Sequence, residues 1–166
     1  AGCQSGGTDP GGGAPDGPEV DGGLRRAVVV GLTAVDPAAY GGWSGVCPGC
    51  DVDADVFGLL CREEGLQVRL LHNAQATRSS LENAFRQAVD GLAEGDLLVL
   101  YVSGHGGQVD DGDPTEDDGL SETLCLWDGP MTDTYLSGLL AEIPVGVRLF
   151  LVTDTCNSGT NYRRRQ

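Results

Sequence analysis

The sequence predicts an α/β fold in which a mainly parallel sheet is flanked by helices. Three observations lead there. Four short runs read as strands, and those at 26–33 and 96–104 are almost continuously apolar, as strands covered on both faces are. Between them lie segments whose apolar residues recur at helical spacing. Strand and helix then alternate along the chain, which builds a parallel sheet through right-handed crossovers with helices on both faces.

The first strand is "RAVVVGLT", 26–33. A loop rich in Gly, Pro and Ser follows. Residues 51–65, "DVDADVFGLLCREEG", place Val52, Val56, Leu59 and Leu60 at helical spacing, and Gly65 is a natural stop. "LQVRLLH", 66–72, is the second strand. Residues 77–95 form the clearest helix, with Leu81, Phe85, Ala88 and Leu92 on one face. Thr77 or Ser79 can cap it, and Glu82 completes a capping box with Ser79. "DLLVLYVSG", 96–104, is the third strand, 131–144 a helix ended by Pro144, and "VRLFLVTD", 147–154, the fourth strand.

Length and composition bound the function. A chain of 166 residues holds one domain at most, with an optional tail. The net charge is −15 and all ten basic residues are arginines. Such acidity argues against nucleic-acid binding and fits sites for cations or basic substrates. No run approaches the ~20 apolar residues of a membrane span. Residues 1–24 are Gly-, Pro- and Asp-rich and read as a flexible tether. The small residues before Cys3, with that tether behind it, resemble the end of a bacterial lipoprotein signal, which makes Cys3 a candidate lipidation site. A fragment boundary beside a cysteine is the alternative. Localisation divides accordingly: lipid-anchored outside the cytoplasm of a bacterium, with that lipid the sole membrane contact, or cytoplasmic.

Six cysteines are present without a repeating framework. "CPGC", 47–50, has the form of a redox motif or half a zinc site. A second CxxC or a His pair is missing, and a Gly-rich loop stands where a thioredoxin-like motif needs a strand, so both readings rank low.

The chemistry gathers at two strand ends. The third strand runs into "SGHGG", which puts His105 just past its carboxyl end, and the fourth runs into "DTCNSG", which does the same for Cys156. In parallel sheets ligands bind beyond those ends, and neighbouring strands lie ~5 Å apart. A thiol and an imidazole would then converge on one carbonyl carbon. Gly104, Gly106 and Gly107 allow close approach of backbone, and the amides of Gly106 and Cys156 are candidate oxyanion donors. A lone loop histidine is usually surface decoration and a lone cysteine a small buried hydrophobe. Both at successive strand ends favour a cysteine hydrolase.

These two motifs, "YVSGHGGQVDDGDPTEDDGLSETLCLWD" and "VRLFLVTDTCNSGT", resemble those of metacaspases and their bacterial relatives among the caspase-like cysteine peptidases. The likeness runs from Ala27 to Thr160 and includes Gly49–Cys50 and Thr77–Arg78. It implies a caspase-like sandwich over residues 25–166, corresponding to the large-subunit part, with the final strands apparently absent from this chain. It implies Cys156 as nucleophile, His105 as acid and base, a dyad that requires no cofactor, and polypeptide substrates cleaved after Arg or Lys. The family's specificity pocket maps onto Cys50, Asp53, Ser103 and Asp154. Paired carboxylates there suit a guanidinium, with Asp154 weighted above Asp53, whose other reading is a solvated residue at a helix start.

The acidic segment 110–122 raises calcium. Candidate ligands are Asp113, Asp117, Asp118 and Asp133. Family positions for calcium activation map near Ser121, Asp133, Thr134 and the stretch after Cys156, where only Asp133 keeps a carboxylate, so weak or absent calcium dependence is expected. Arg163, Arg164 and Arg165 are candidate self-cleavage sites, and the chain's own small-subunit segment is a candidate partner. The competing reading of the whole is a catalytically inactive caspase-like interaction module.

Overall fold

Arg25–Gly31 forms β1, in which Ala27, Val28, Val29 and Val30 are all buried. Side chains of a strand point alternately to opposite faces, so burial of every position requires cover on both. The remaining elements are α1 (Cys50–Glu63), β2 (Gln67–His72), α2 (Arg78–Val89), β3 (Leu97–Ser103), β4 (Gly106–Val109), β5 (Ser121–Leu126), β6 (Gly129–Thr132), α3 (Asp133–Leu140) and β7 (Arg148–Asp154). The structure, a computed structural model, describes residues 22–110 and 120–156. Most of the expected tether, Cys3, Asp113, Asp117, Asp118 and Arg163 to Arg165 therefore lie outside the described residues.

The main sheet has the order β2-β1-β3-β7, parallel throughout, as the alternation of elements predicts. α1 covers one face, packing with Ala27, Val29, Val99 and Tyr101. α2 and α3 cover the other, with Val28, Val30, Leu98, Leu100 and Val102. Among the described residues no helix is long and apolar enough to cross a membrane.

A second, three-stranded antiparallel sheet, β4-β5-β6, was not legible in the sequence. "GGQV" and "GPMT" are too short, and too poor in β-branched residues, to read as strands. β6 takes Met131 and Thr132 from the predicted helix 131–144. Thr132 then caps α3, its hydroxyl accepting from the Tyr135 amide at 3.3 Å. Helix α2 stops at Val89 rather than reaching residue 95, because Gly91 turns the chain in the left-handed region at φ 74°. Its cap is Thr77, which accepts from the Ser80 amide at 3.1 Å. The Ser79–Glu82 capping box does not form. Glu82 instead accepts from the Tyr135 hydroxyl at 2.6 Å and pairs with Arg86. Arg78 joins the start of α2 to the second sheet and α3: its amide donates to Asp128 at 2.8 Å, its guanidinium donates to the Pro130 carbonyl, and it lies 5.2 Å from the Tyr135 ring centre.

Helix α1 corrects a simple amphipathic reading. Val52, Val56, Leu59 and Leu60, the apolar residues at helical spacing, are each more than half exposed. The buried positions are Cys50, Ala54, Gly58 and Cys61. Small side chains here let the helix sit close on β1. A Cβ on Gly31 would stand 2.6 Å from the Ala54 methyl and 2.8 Å from the Cys50 carbonyl. The face selected for the sheet is therefore the thin one, not the most apolar one.

Two substitutions separate these faces. Gly31→Ala is expected to destabilise by about 1–3 kcal/mol through overpacking. Val56→Ser is expected to stay within about 0.5 kcal/mol of wild type. Urea midpoints at unchanged m-value measure both.

Candidate active site

The register of β3 against β7 sets the site. Ser103 is paired with Asp154 at the carboxyl ends of the two strands. His105 and Cys156 each lie two residues further on, so they leave the sheet at one level from adjacent strands, as the sequence predicts. The Gly104 amide donates to the Asp154 carbonyl at 3.3 Å and carries the pairing one step beyond β3. Gly106 has no room for a side chain: a Cβ there would lie 1.9 Å from the Cys156 carbonyl oxygen. The glycine after His105 is thus what admits the Cys156 backbone.

Antiparallel pairing orients the next amide. The Cys125 amide donates to the His105 carbonyl at 2.9 Å, and Gly106 stands opposite Leu124. Bonded and non-bonded pairs alternate along such a ladder. Gly106 therefore occupies a non-bonded position, and its N–H is directed away from β5.

His105 is half-buried. Its Nε2 lies 3.4 Å from the Val46 carbonyl oxygen, a long contact in which the nitrogen donates and Nδ1 is left for other work. Its ring packs against Trp43 at 5.0 Å between centroids. Three free cysteines occur among the described residues, Cys61, Cys125 and Cys156, and Cys156 is the exposed one. Burial pushes the thiols of Cys61 and Cys125 up, which keeps both protonated as packing groups.

The predicted pocket residues occupy the same end of the sheet. Asp154 is exposed at the end of β7, and Ser103 beside it is buried. Asp53 is exposed in the first turn of α1. Cys50 opens that helix, buried and joined to Cys47 in a disulfide, so "CPGC" is an oxidised pair with no free thiol. Tyr101, in β3, links these groups. Burial pushes its phenol up, Asp154 and Asp53 push it further, and a hydrogen bond with Ser103 acts the other way. Both carboxylates thus lie within electrostatic reach of one hydroxyl. Neither Tyr101 nor Trp43 was found by sequence reasoning. Tyr101 sits in an apolar run and reads as core; for Trp43 the signal was a large aromatic in a Gly-rich loop, "YGGWSG".

Of the four calcium candidates only Asp133 lies among the described residues. Asp133 is buried at the start of α3, where its Oδ1 accepts from the Thr134 amide at 2.8 Å. Among the described residues no three His, Cys, Asp or Glu side chains gather around a common point for a metal.

Comparison with known proteins gives the family. The profile of the metacaspase, peptidase C14 domain matches residues 51–163. Metacaspase-3 of Arabidopsis thaliana is 33% identical over 83% of this chain and 41% of its own length. Metacaspase-1 of Mycosarcoma maydis is 31% identical over 83% of this chain and 36% of its own. The crystal structure of protein GSU0716 from Geobacter sulfurreducens superposes with a TM-score of 0.77 at 42% identity, over 82% of this chain and 52% of that one. The chain therefore spans less than half the length of these curated relatives. With the order of elements, the parallel sheet and the profile in agreement, the chain belongs to the metacaspase family of caspase-like C14 proteins.

Proposed function

We propose that the chain carries the catalytic half of a cysteine endopeptidase that cleaves after Arg or Lys through a His105–Cys156 dyad. The observation that carries this reading is the Ser103–Asp154 register, which sends both residues off adjacent strands at one level. In this reading His105 Nδ1 takes the thiol proton, and the Cys156 sulfur attacks the substrate carbonyl carbon. The tetrahedral oxyanion is held by the amides of Gly106 and Cys156; the outward direction of the Gly106 N–H supports that role. Collapse breaks the C–N bond, and the proton on His105 passes to the leaving amine. Water, deprotonated by His105, then hydrolyses the thioester and restores the thiol.

Asp154, with Asp53 further out, supplies negative charge for a guanidinium or ammonium group, and Ser103 and Cys50 line the same pocket. Their shared influence on Tyr101 supports this assignment. Calcium is not required in this reading: of the family's activating positions only Asp133 keeps a carboxylate, and that side chain is buried and hydrogen-bonded at its own helix start. Among the described residues β7 is paired on one edge only, which supports a further strand, from the small-subunit portion, adding alongside it. Arg163 to Arg165 are the proposed sites at which a longer precursor is cut.

Fluorogenic peptides ending in Arg or Asp, offered to the full-length protein, test the reading. Hydrolysis after Arg and not after Asp is expected, falling by about 10⁴-fold or more in Cys156→Ala or His105→Ala. Asp154→Ala should lower kcat/KM for the Arg peptide by about 10²-fold, as loss of a charge partner does. Hydrolysis after Asp would refute the pocket.

Gly106→Ala should lower kcat by about 10²-fold or more with the fold retained, since it must displace the Cys156 carbonyl. Circular dichroism alongside the rate separates this from unfolding.

Addition of a calcium chelator should leave the Arg-peptide rate unchanged. Intact mass of the wild-type precursor and its Cys156→Ala form checks self-cleavage: fragments are expected in the wild type alone.

A further inference from the structure

Beside His105 lies an apolar surface that the dyad and the acidic pocket do not use. Trp43 is 46% exposed and Val46 is 66% exposed, although both contact the His105 ring, one through its indole and the other through its carbonyl. Large apolar groups left half in water beside a reacting centre have the form of a subsite wall.

The loop that carries them is tightly held. Its start is fixed by the Asp36 amide, which donates to the Trp127 carbonyl at 3.0 Å. The Tyr40 hydroxyl donates to the Leu126 carbonyl at 2.7 Å. The Val35 amide donates to the Ser44 carbonyl at 3.0 Å, and the Cys47 amide donates to the Thr33 carbonyl at 2.8 Å. Thr33 is anchored in turn by Asn73, whose Oδ1 accepts from its amide and its hydroxyl, each at 2.9 Å. Trp43 itself is wedged. Tyr40 meets it edge-on at 5.7 Å, and Gly45, at φ 55°, lets it lie flat: a Cβ on Gly45 would come within 3.1 Å of the indole. One indole face is therefore fixed while the rest remains open to a ligand, so little side-chain freedom is lost when something packs there.

Chemistry says which part of a substrate that would be. The group that protonates the leaving amine must stand within hydrogen-bond reach of the leaving nitrogen. Trp43, packed on the His105 ring itself, therefore borders the leaving-group side of the cut bond, and Val46, held at the Nε2 edge of that ring, flanks Trp43 in the same loop. The acidic pocket, built from β7 and α1, serves the other side.

We propose that Trp43 and Val46 form the subsite for the residue immediately after the cut bond and select an apolar side chain there. This rests on the peptidase reading above. The full-length protein would then combine a basic residue before the bond with an apolar one after it, a narrower substrate class than a basic residue alone.

The test uses internally quenched peptides that differ only after the arginine, Arg-Leu against Arg-Gly, with kcat/KM measured for each. Wild type should prefer Leu by about tenfold, the lower range for an added apolar side chain in a half-open pocket. In Trp43→Ala the ratio should approach one, whatever the common fall in rate, and Trp43→Phe should keep an intermediate ratio. Val46→Asp retains the backbone carbonyl facing His105 and should also lower the Leu:Gly ratio; it decides the matter if Trp43→Ala is inactive on both peptides. A wild-type ratio near one, or a ratio unchanged in both variants, overturns the subsite while leaving the peptidase reading intact. Cleavage of neither peptide by wild type overturns both.

Discussion

The pairing of β3 with β7 is the constraint on which the site depends. In a parallel ladder a one-residue slip moves every side chain of a strand to the opposite face. Seven paired positions, from Leu97–Arg148 to Ser103–Asp154, fix this register. Burial enforces it: Leu98, Leu100 and Val102 must meet α2 and α3, while Val99 and Tyr101 must meet α1. A slip would place apolar residues of β7 on the wrong layer and part His105 from Cys156 together. Core packing and site geometry are thus set by the same pairs, several residues away from the chemistry.

The small second sheet continues directly from that alignment. β4 begins immediately after His105, so the ladder with β5 orients the segment that follows the imidazole. Arg78 ties this sheet to the start of α2 through Asp128 and Pro130. Tyr40 reaches the same sheet from the loop on the other side of His105. Burial pushes the Tyr40 phenol up and Asp128 adds to this, so it stays protonated and keeps its donor for the Leu126 carbonyl. The segment that carries the imidazole is therefore braced from three parts of the chain.

Much of this was legible in the sequence, and the exceptions have physical causes. Continuous apolar runs marked the buried strands because a parallel sheet hides both faces. His105 and Cys156 stood out because each follows such a run and is flanked by residues too small to pack. The hairpin strands were hidden because glycine, proline and threonine carry no periodic signal over four residues. The inward face of α1 was hidden for a different reason. Closeness to the sheet selected volume there, with Ala54 against β1 and Gly58 against Val68 of β2, and periodicity counts polarity alone. Trp43 and Tyr101 acquire meaning only from what lies beside them in space, which no linear pattern carries.

The two members of the proposed dyad stand on strands of unequal rank. β3 lies between β1 and β7, and its ladder partners hold it on both sides; β7 is a rim strand among the described residues, with Phe150 half in water. Opening free energy falls from interior to rim in such sheets. The imidazole is consequently a fixed reference, whereas the sulfur sits on the strand that frays first. Heat, denaturant or removal of whatever rests on that rim would displace Cys156 from His105 well before the core melts, and pressing the rim into place would restore their alignment without any change at the imidazole.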